Sequence, residues 1–100
     1  MRTESRGDTL YITDILTLTS ETYKPFKEYA HGDLRPEHQF VEVDLSRARS
    51  VDSDGIGALI SVHKAICDRG GRVRLLRPEP MIAELFKILK LDHLFEIIPR

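Results

Sequence analysis

This 100-residue chain has no tryptophan, a single cysteine and almost no net charge. With Cys67 alone, no disulfide can close within the chain, so the disulfide-stapled class of small scaffold is excluded. Cys67 falls on the apolar stripe of a helical stretch and is expected to be a small buried hydrophobe. Fifteen basic residues against sixteen acidic ones leave a formal charge of −1, which gives no support for a nucleic-acid or polyanionic-surface partner. No apolar run approaches the ~20 residues of a membrane-spanning helix. Met1 to Asp8 lacks the apolar segment of a signal peptide. The expected compartment is therefore the cytosol, without membrane insertion. His31, His38 and His93 show no metal-ligand spacing, and no nucleophile–base–orienter set can be read. Neither enzymatic turnover nor a metal or cofactor is expected.

What is present is ordinary for a soluble globular protein: 41% hydrophobic and 31% charged residues, enough for one domain with a real core. Residues 1–8 are polar and expected to fray, leaving the folded domain over 9–100. Thr9 to Leu16 is rich in β-formers and predicts a first strand, with Asp14 at an exposed face or a strand end. A helix follows, either from Ser20 as its N-cap or over Pro25 to His31, with Gly32 as the stop. Asp33 to Gln39 reads as a loop. Phe40 to Ser46 predicts a second strand with Val41, Val43 and Leu45 on one face.

The second half is more regular. Ile56, Leu59, Ile60, His63 and Ile66 recur at spacings of three and four, which predicts a helix from about Asp54 to Asp68. His63 is expected to be partly buried and hydrogen-bonded. Gly70 suits a left-handed cap. Arg72 to Leu76 predicts a third strand, whose Arg72 and Arg74, with Arg77, read as a solvated edge. Pro80 opens a last helix with Met81, Ile82, Leu85, Phe86, Ile88 and Leu89 as its apolar stripe. Leu94 to Ile98 predicts a fourth strand, with Phe86, Leu91, Leu94 and Phe95 in the core. Strands alternating with helices imply an α/β domain: a mixed, mostly parallel sheet of four or five strands with packed helices.

The stretch Ser50-Val51-Asp52-Ser53-Asp54-Gly55-Ile56-Gly57 sits where a strand turns into a helix. It has three readings. Ser53 or Asp54 can simply cap the helix, with Gly55 permitting close packing. Ser50, Asp52, Asp54 and Gly55 overlay the first half of a calcium-binding EF-hand loop, although its twelfth position would be Ser61. Or Ser53 is a phosphoacceptor. A phosphate there adds roughly −1.5 to −2 charge, which a helix N-terminus tolerates. Beside Asp52 and Asp54 it makes a dense anionic spot that repels a partner fitted to the neutral corner. The physics of the tetrapeptide leaves all three open.

The chain from Phe40 to Ile98 resembles the STAS domain family, whose type members are bacterial anti-sigma-factor antagonists. The blocks that carry the resemblance are Val43-Asp44-Leu45-Ser46, Val51 to Ile60, Arg69 to Leu75, and Leu89 to Ile97. The first 39 residues match only in the order of elements, and Thr17-Leu18-Thr19-Ser20 stands where the family usually has Gly-x-Leu-Asp. The resemblance implies that Ser53, directly after Asp52, is phosphorylated by a partner serine kinase that is also the anti-sigma factor. The unphosphorylated form binds that kinase, and a phosphatase resets the modified one. The implied contact surface is Asp52, Ser53, Asp54, Gly55, Ile56 and Gly57 plus the exposed side of the following helix. Asp54 departs from the small residue common at its position and places a fixed negative charge beside the serine. A second expectation keeps the fold without the switch: a STAS subunit of a membrane-lipid ABC transport complex. A nucleotide or small-ligand site at the helix N-terminus ranks last, because the glycine-rich loop and lysine of such sites are missing.

Overall fold

Polar and apolar residues alternate along the strands, and that alternation sets the architecture of the computed structural model, which describes residues 1–100. In order, the elements are β1 (Arg2–Arg6), β2 (Thr9–Thr13), β3 (Thr17–Leu18), α1 (Tyr23–Asp33), β4 (Phe40–Asp44) and β5 (Ser50–Val51). They continue with α2 (Ser53–Cys67), β6 (Arg72–Leu76), α3 (Pro80–Ile88), a 3-10 turn at Leu91–His93 and β7 (Glu96–Ile98). One mixed five-stranded sheet runs β1-β2-β4-β6-β7; only β1 is antiparallel to its neighbour. The α/β class with a mixed, mostly parallel sheet is as the sequence implies. Leu10, Ile12, Val41, Val43, Val73 and Leu75 are buried on one face, under Phe26 and Ala30 of α1 and Ala58, Leu59, Val62 and Ile66 of α2.

The alternate residues form the other face. There Glu42, Arg74 and Glu96 stand in register across β4, β6 and β7. Arg74 bonds Glu42 at 2.9 Å and Glu96 at 3.2 Å, and its guanidinium lies 3.9 Å from the centre of the Phe40 ring. This corrects the reading of Arg74 as part of a solvated edge, although Arg72 and Arg77 are exposed.

Several expectations change at the N-terminal half. Residues 2–6 are not frayed: β1 pairs with β2 from Arg2 opposite Thr13 to Arg6 opposite Thr9. As a polar edge strand it has no apolar period to reveal it. Its inward residues are hydroxylic, Thr3 bonding Asp33 and Ser5 bonding the fully buried His38. The first predicted strand stops at Thr13 because Asp14 takes a left-handed conformation with φ of 59°. Ser20 does not cap α1. That helix begins at Tyr23 with Pro25 in its first turn, and it runs through Gly32 to Asp33.

At the other end, Cys67 is exposed rather than buried, because the buried stripe of α2 ends at Ile66. His63 packs edge-on to Phe95, with ring centres 5.9 Å apart, and its enclosed Nδ1 has no hydrogen-bond partner. It is half-buried as expected but not hydrogen-bonded. Gly70 is left-handed with φ of 78°, as its place after α2 requires. Phe86 and Phe95 are buried, meeting edge-on, while Leu91 and Leu94 are half-buried. The apolar stripe of α3 divides: Ile82 and Phe86 enter the core, whereas Met81, Ile88 and Leu89 are exposed.

Candidate functional site

A separate, two-residue parallel ladder builds the corner at the start of α2. Thr17 pairs with Ser50 and Leu18 with Val51, outside the main sheet. The ladder is extended by the Asp52 amide, which donates to the Leu18 carbonyl at 3.2 Å. Asp52 is extended, with φ of −111° and ψ of −173°, so its side chain can fold back over the first helical turn. One carboxylate oxygen accepts the Gly55 amide at 3.0 Å, and the other accepts the Ser20 amide at 2.9 Å. These two amides, Gly55 first, hold the Asp52 carboxyl below the usual carboxylate range.

Asp52 is therefore the cap, where the sequence offered Ser53 or Asp54. The geometry explains the difference. Ser53 and Asp54 already belong to the helix, and only the residue before it has the non-helical backbone that a capping side chain needs. The consequence is chemical: Ser53 is exposed at the first helical position, with its hydroxyl committed to no partner in the chain. Asp54 is exposed in the same turn, where its charge complements the helix dipole. The carboxylate of Asp52 is already engaged by amides, which disfavours the calcium reading of Ser50, Asp52 and Asp54.

The remaining motif residues divide by role. Gly55 is buried under β3, and a Cβ there would run into the Leu18 carbonyl. Ile56 is half-buried against the core. Gly57 is exposed and faces open space. Ser53, Asp54 and Gly57 thus form the presented surface, and Asp52, Gly55 and Ile56 hold it in place.

Sequence reasoning missed two contributors. Ser20, read as a helix cap, instead anchors the corner through its amide; its position beside the unusual Thr17-Leu18-Thr19 run is the one signal that pointed there. The second is a groove of about 700 Å³ between β3 and α1, lined by Leu16, Leu18, Thr22, Phe26 and Tyr29, with Asp14 and Asp33 at its rim. Nothing local in the sequence marks a groove built from separate elements.

The family model described as "STAS domain" matches residues 1–100. Among solved structures, the Thermotoga maritima protein TM1081, described there as a candidate anti-sigma factor antagonist, superposes with a TM-score of 0.89 at 20% identity. That match covers 99% of this chain and 86% of the other. The Bacillus cell fate determinant SpoIIAA in its phosphorylated form gives 0.76 at 17% identity, covering 99% and 91%. The anti-sigma factor antagonist SpoIIAA in its unphosphorylated form gives 0.71 at 18% identity, covering 87% and 81%. At these identities the likeness is one of fold. No curated protein sequence matches the chain.

Proposed function

The chain belongs to the STAS domain family, and from that premise we propose that it is an anti-sigma-factor antagonist switched by phosphorylation of Ser53. The observation that supports this reading is the uncommitted Ser53 hydroxyl at the first position of α2, next to a cap that Asp52 supplies without it. A phosphate at that position meets the free amides of the first helical turn, so the helix accepts the charge. The same phosphate beside Asp52 and Asp54 builds an anionic spot that a partner fitted to the neutral corner rejects. Folding is spared and binding is lost, which is what a reversible switch requires.

In this reading the unphosphorylated corner, Asp52 to Gly57 with the exposed side of α2, docks on a serine kinase that is also an anti-sigma factor. Phosphorylation releases it, and a phosphatase restores it. The module binds and does not catalyse, and its workplace is the cytoplasm. SpoIIAA, to which the fold is similar, has been solved both with and without phosphate.

The test is intact mass spectrometry of the protein from its native cells, with fragmentation across Val51 to Gly57. A phosphate on Ser53 that phosphatase removes supports the switch. Its absence under all growth conditions, with an ABC-type ATPase co-purifying, moves the protein to the non-switching transport-subunit role.

A further inference from the structure

We propose that the groove between β3 and α1 binds a small elongated organic cation, an alkyl- or arylalkylammonium, with its apolar body along the groove and its charge at Asp33. One face of α1 forms a wall: Thr22, Phe26, Tyr29 and Asp33 recur at spacings of three and four. Leu16 and Leu18 form the facing wall. Leu18 and Phe26 are buried and make the floor, whereas Leu16 is 56% and Tyr29 59% exposed and make the lips. The volume of about 700 Å³ is that of a small-molecule site, and an apolar lining with a few polar groups is the usual chemistry of one.

The two ends of the groove differ in charge. At one end the Thr22 hydroxyl donates to the Thr17 carbonyl at 3.1 Å, so neutral groups close it. The other end is acidic. There Arg2 of β1 lies opposite Thr13, the residue before Asp14, and the next residue, Thr3, donates its hydroxyl to Asp33. Asp14 and Asp33 are the only charged side chains in the lining. They are not equivalent. Asp14 is paired with Arg47 at 3.0 Å, whereas Asp33 is half-buried and has no cationic partner. The Met1 amine, which also borders the groove, pairs with neither.

Asp33 is also the last residue of α1, where the helix dipole is negative and a carboxylate is disfavoured. A bound cation answers both the missing partner and the dipole. An anionic ligand would meet two carboxylates, and a neutral one would strip water from Asp33 without replacing it. An ammonium with an apolar body pairs with Asp33, lies against the exposed Tyr29 ring and covers Leu16. Ser53, Asp54 and Gly57 do not line the groove, so the inference stands apart from the switch.

Amide chemical-shift titrations of the full chain with octylammonium, 1-octanol and octanoate test it. The expected result is saturable shifts at Leu16, Leu18, Phe26, Tyr29 and Asp33, with octylammonium bound about five-fold more tightly than octanol at low salt and octanoate weakest. Asp33→Asn keeps an acceptor for Thr3 and should lower the octylammonium affinity about five-fold while leaving that of octanol unchanged. Leu16→Lys, at an exposed position that the fold does not need, places a cation at the lip and should weaken octylammonium by a similar factor. The absence of saturable shifts with octylammonium overturns the proposal. So does octanol binding as tightly as octylammonium, or an octylammonium affinity that neither variant changes. Shifts of the same amides when the ligand-free chain is concentrated assign the groove to a second copy and overturn it as well.

Discussion

The Asp52 carboxylate accepts the backbone amide of Ser20 at 2.9 Å, so the turn before α1 is pinned to the residue that precedes Ser53. The contact spans 32 positions of sequence. Together with the bond to Gly55, it makes one side chain responsible for both the start of α2 and the seating of the neighbouring turn.

Replacing Asp52 with Ala should therefore lower the melting temperature by roughly 4–8 °C, the scale of one lost helix cap in a domain of this size. Asn keeps an acceptor for one amide and should recover part of the loss. Thermal unfolding of the two variants checks this, and equal losses would show that charge, not geometry, holds the corner.

Acid should act through the same groups. Asp52 is held below the ordinary carboxylate range by the Gly55 and Ser20 amides. Burial opposes the ionisation of Asp44, but the Ser46 amide and hydroxyl and Arg77 outweigh it and leave its range depressed as well. A carboxyl with a depressed folded-state value stabilises the fold fully above its unfolded value, near 4. That stability is lost as pH falls through the folded value. The urea midpoint should be flat above about pH 5 and fall steadily below about pH 4. In Asp52→Asn the acid slope should be shallower, and an identical slope would count against this linkage.

Two glycines within the first five residues of α2 should respond in opposite directions. Gly55→Ala drives a methyl group into the Leu18 carbonyl and should cost about 1–3 kcal/mol. Gly57→Ala meets open space on a helix and should stabilise by about 0.5–1 kcal/mol. Denaturant unfolding of the pair separates a packing role from a conformational one.

Ser53→Asp should leave the melting temperature within a few degrees of the parent, because the first helical turn accommodates negative charge. Under the proposed switch it should nonetheless abolish binding to the kinase. Ser53→Ala should bind and resist phosphorylation, while Asp54→Ser should raise the kinase affinity by removing a fixed charge from the contact. Phosphate found on the Ala variant would move the acceptor elsewhere.

On the open sheet face, Arg74→Ala strands Glu42, whose side chain is only 15% exposed, and should cost about 1–2 kcal/mol. Adding Glu42→Gln should recover part of that cost. A strictly additive double variant would show that the two residues act independently.

The second half of the fold was legible because its signals are local. Three-and-four spacing marked α2, Pro80 and Gly70 marked helix ends, and Val41 with Val43 marked a half-covered strand. β1 was hidden because an edge strand built from Arg, Thr, Glu and Ser buries almost nothing. The motif from Ser50 to Gly57 was visible, but the capping assignment was not. Both Ser53 and Asp52 are good capping residues, and only the backbone conformation chooses between them. Ser20 and Arg74 were misread for a common reason: their partners lie 32 and 22 or more positions away.

The ladder between β3 and β5 is only two residues long and stands apart from the five-stranded sheet. Its opening should still cost less than that of the main sheet, since two backbone pairs and the Leu18 side chain are released rather than a five-stranded ladder. The amide of Asp52 should accordingly exchange with solvent through local fluctuations, while that of Val43 waits for global unfolding. A partner clamped over Ser53 should slow the first and leave the second alone. On the proposed reading, the Ser53 corner is then a separately tunable patch, ordering on binding and loosening on release while the five-stranded sheet stays intact.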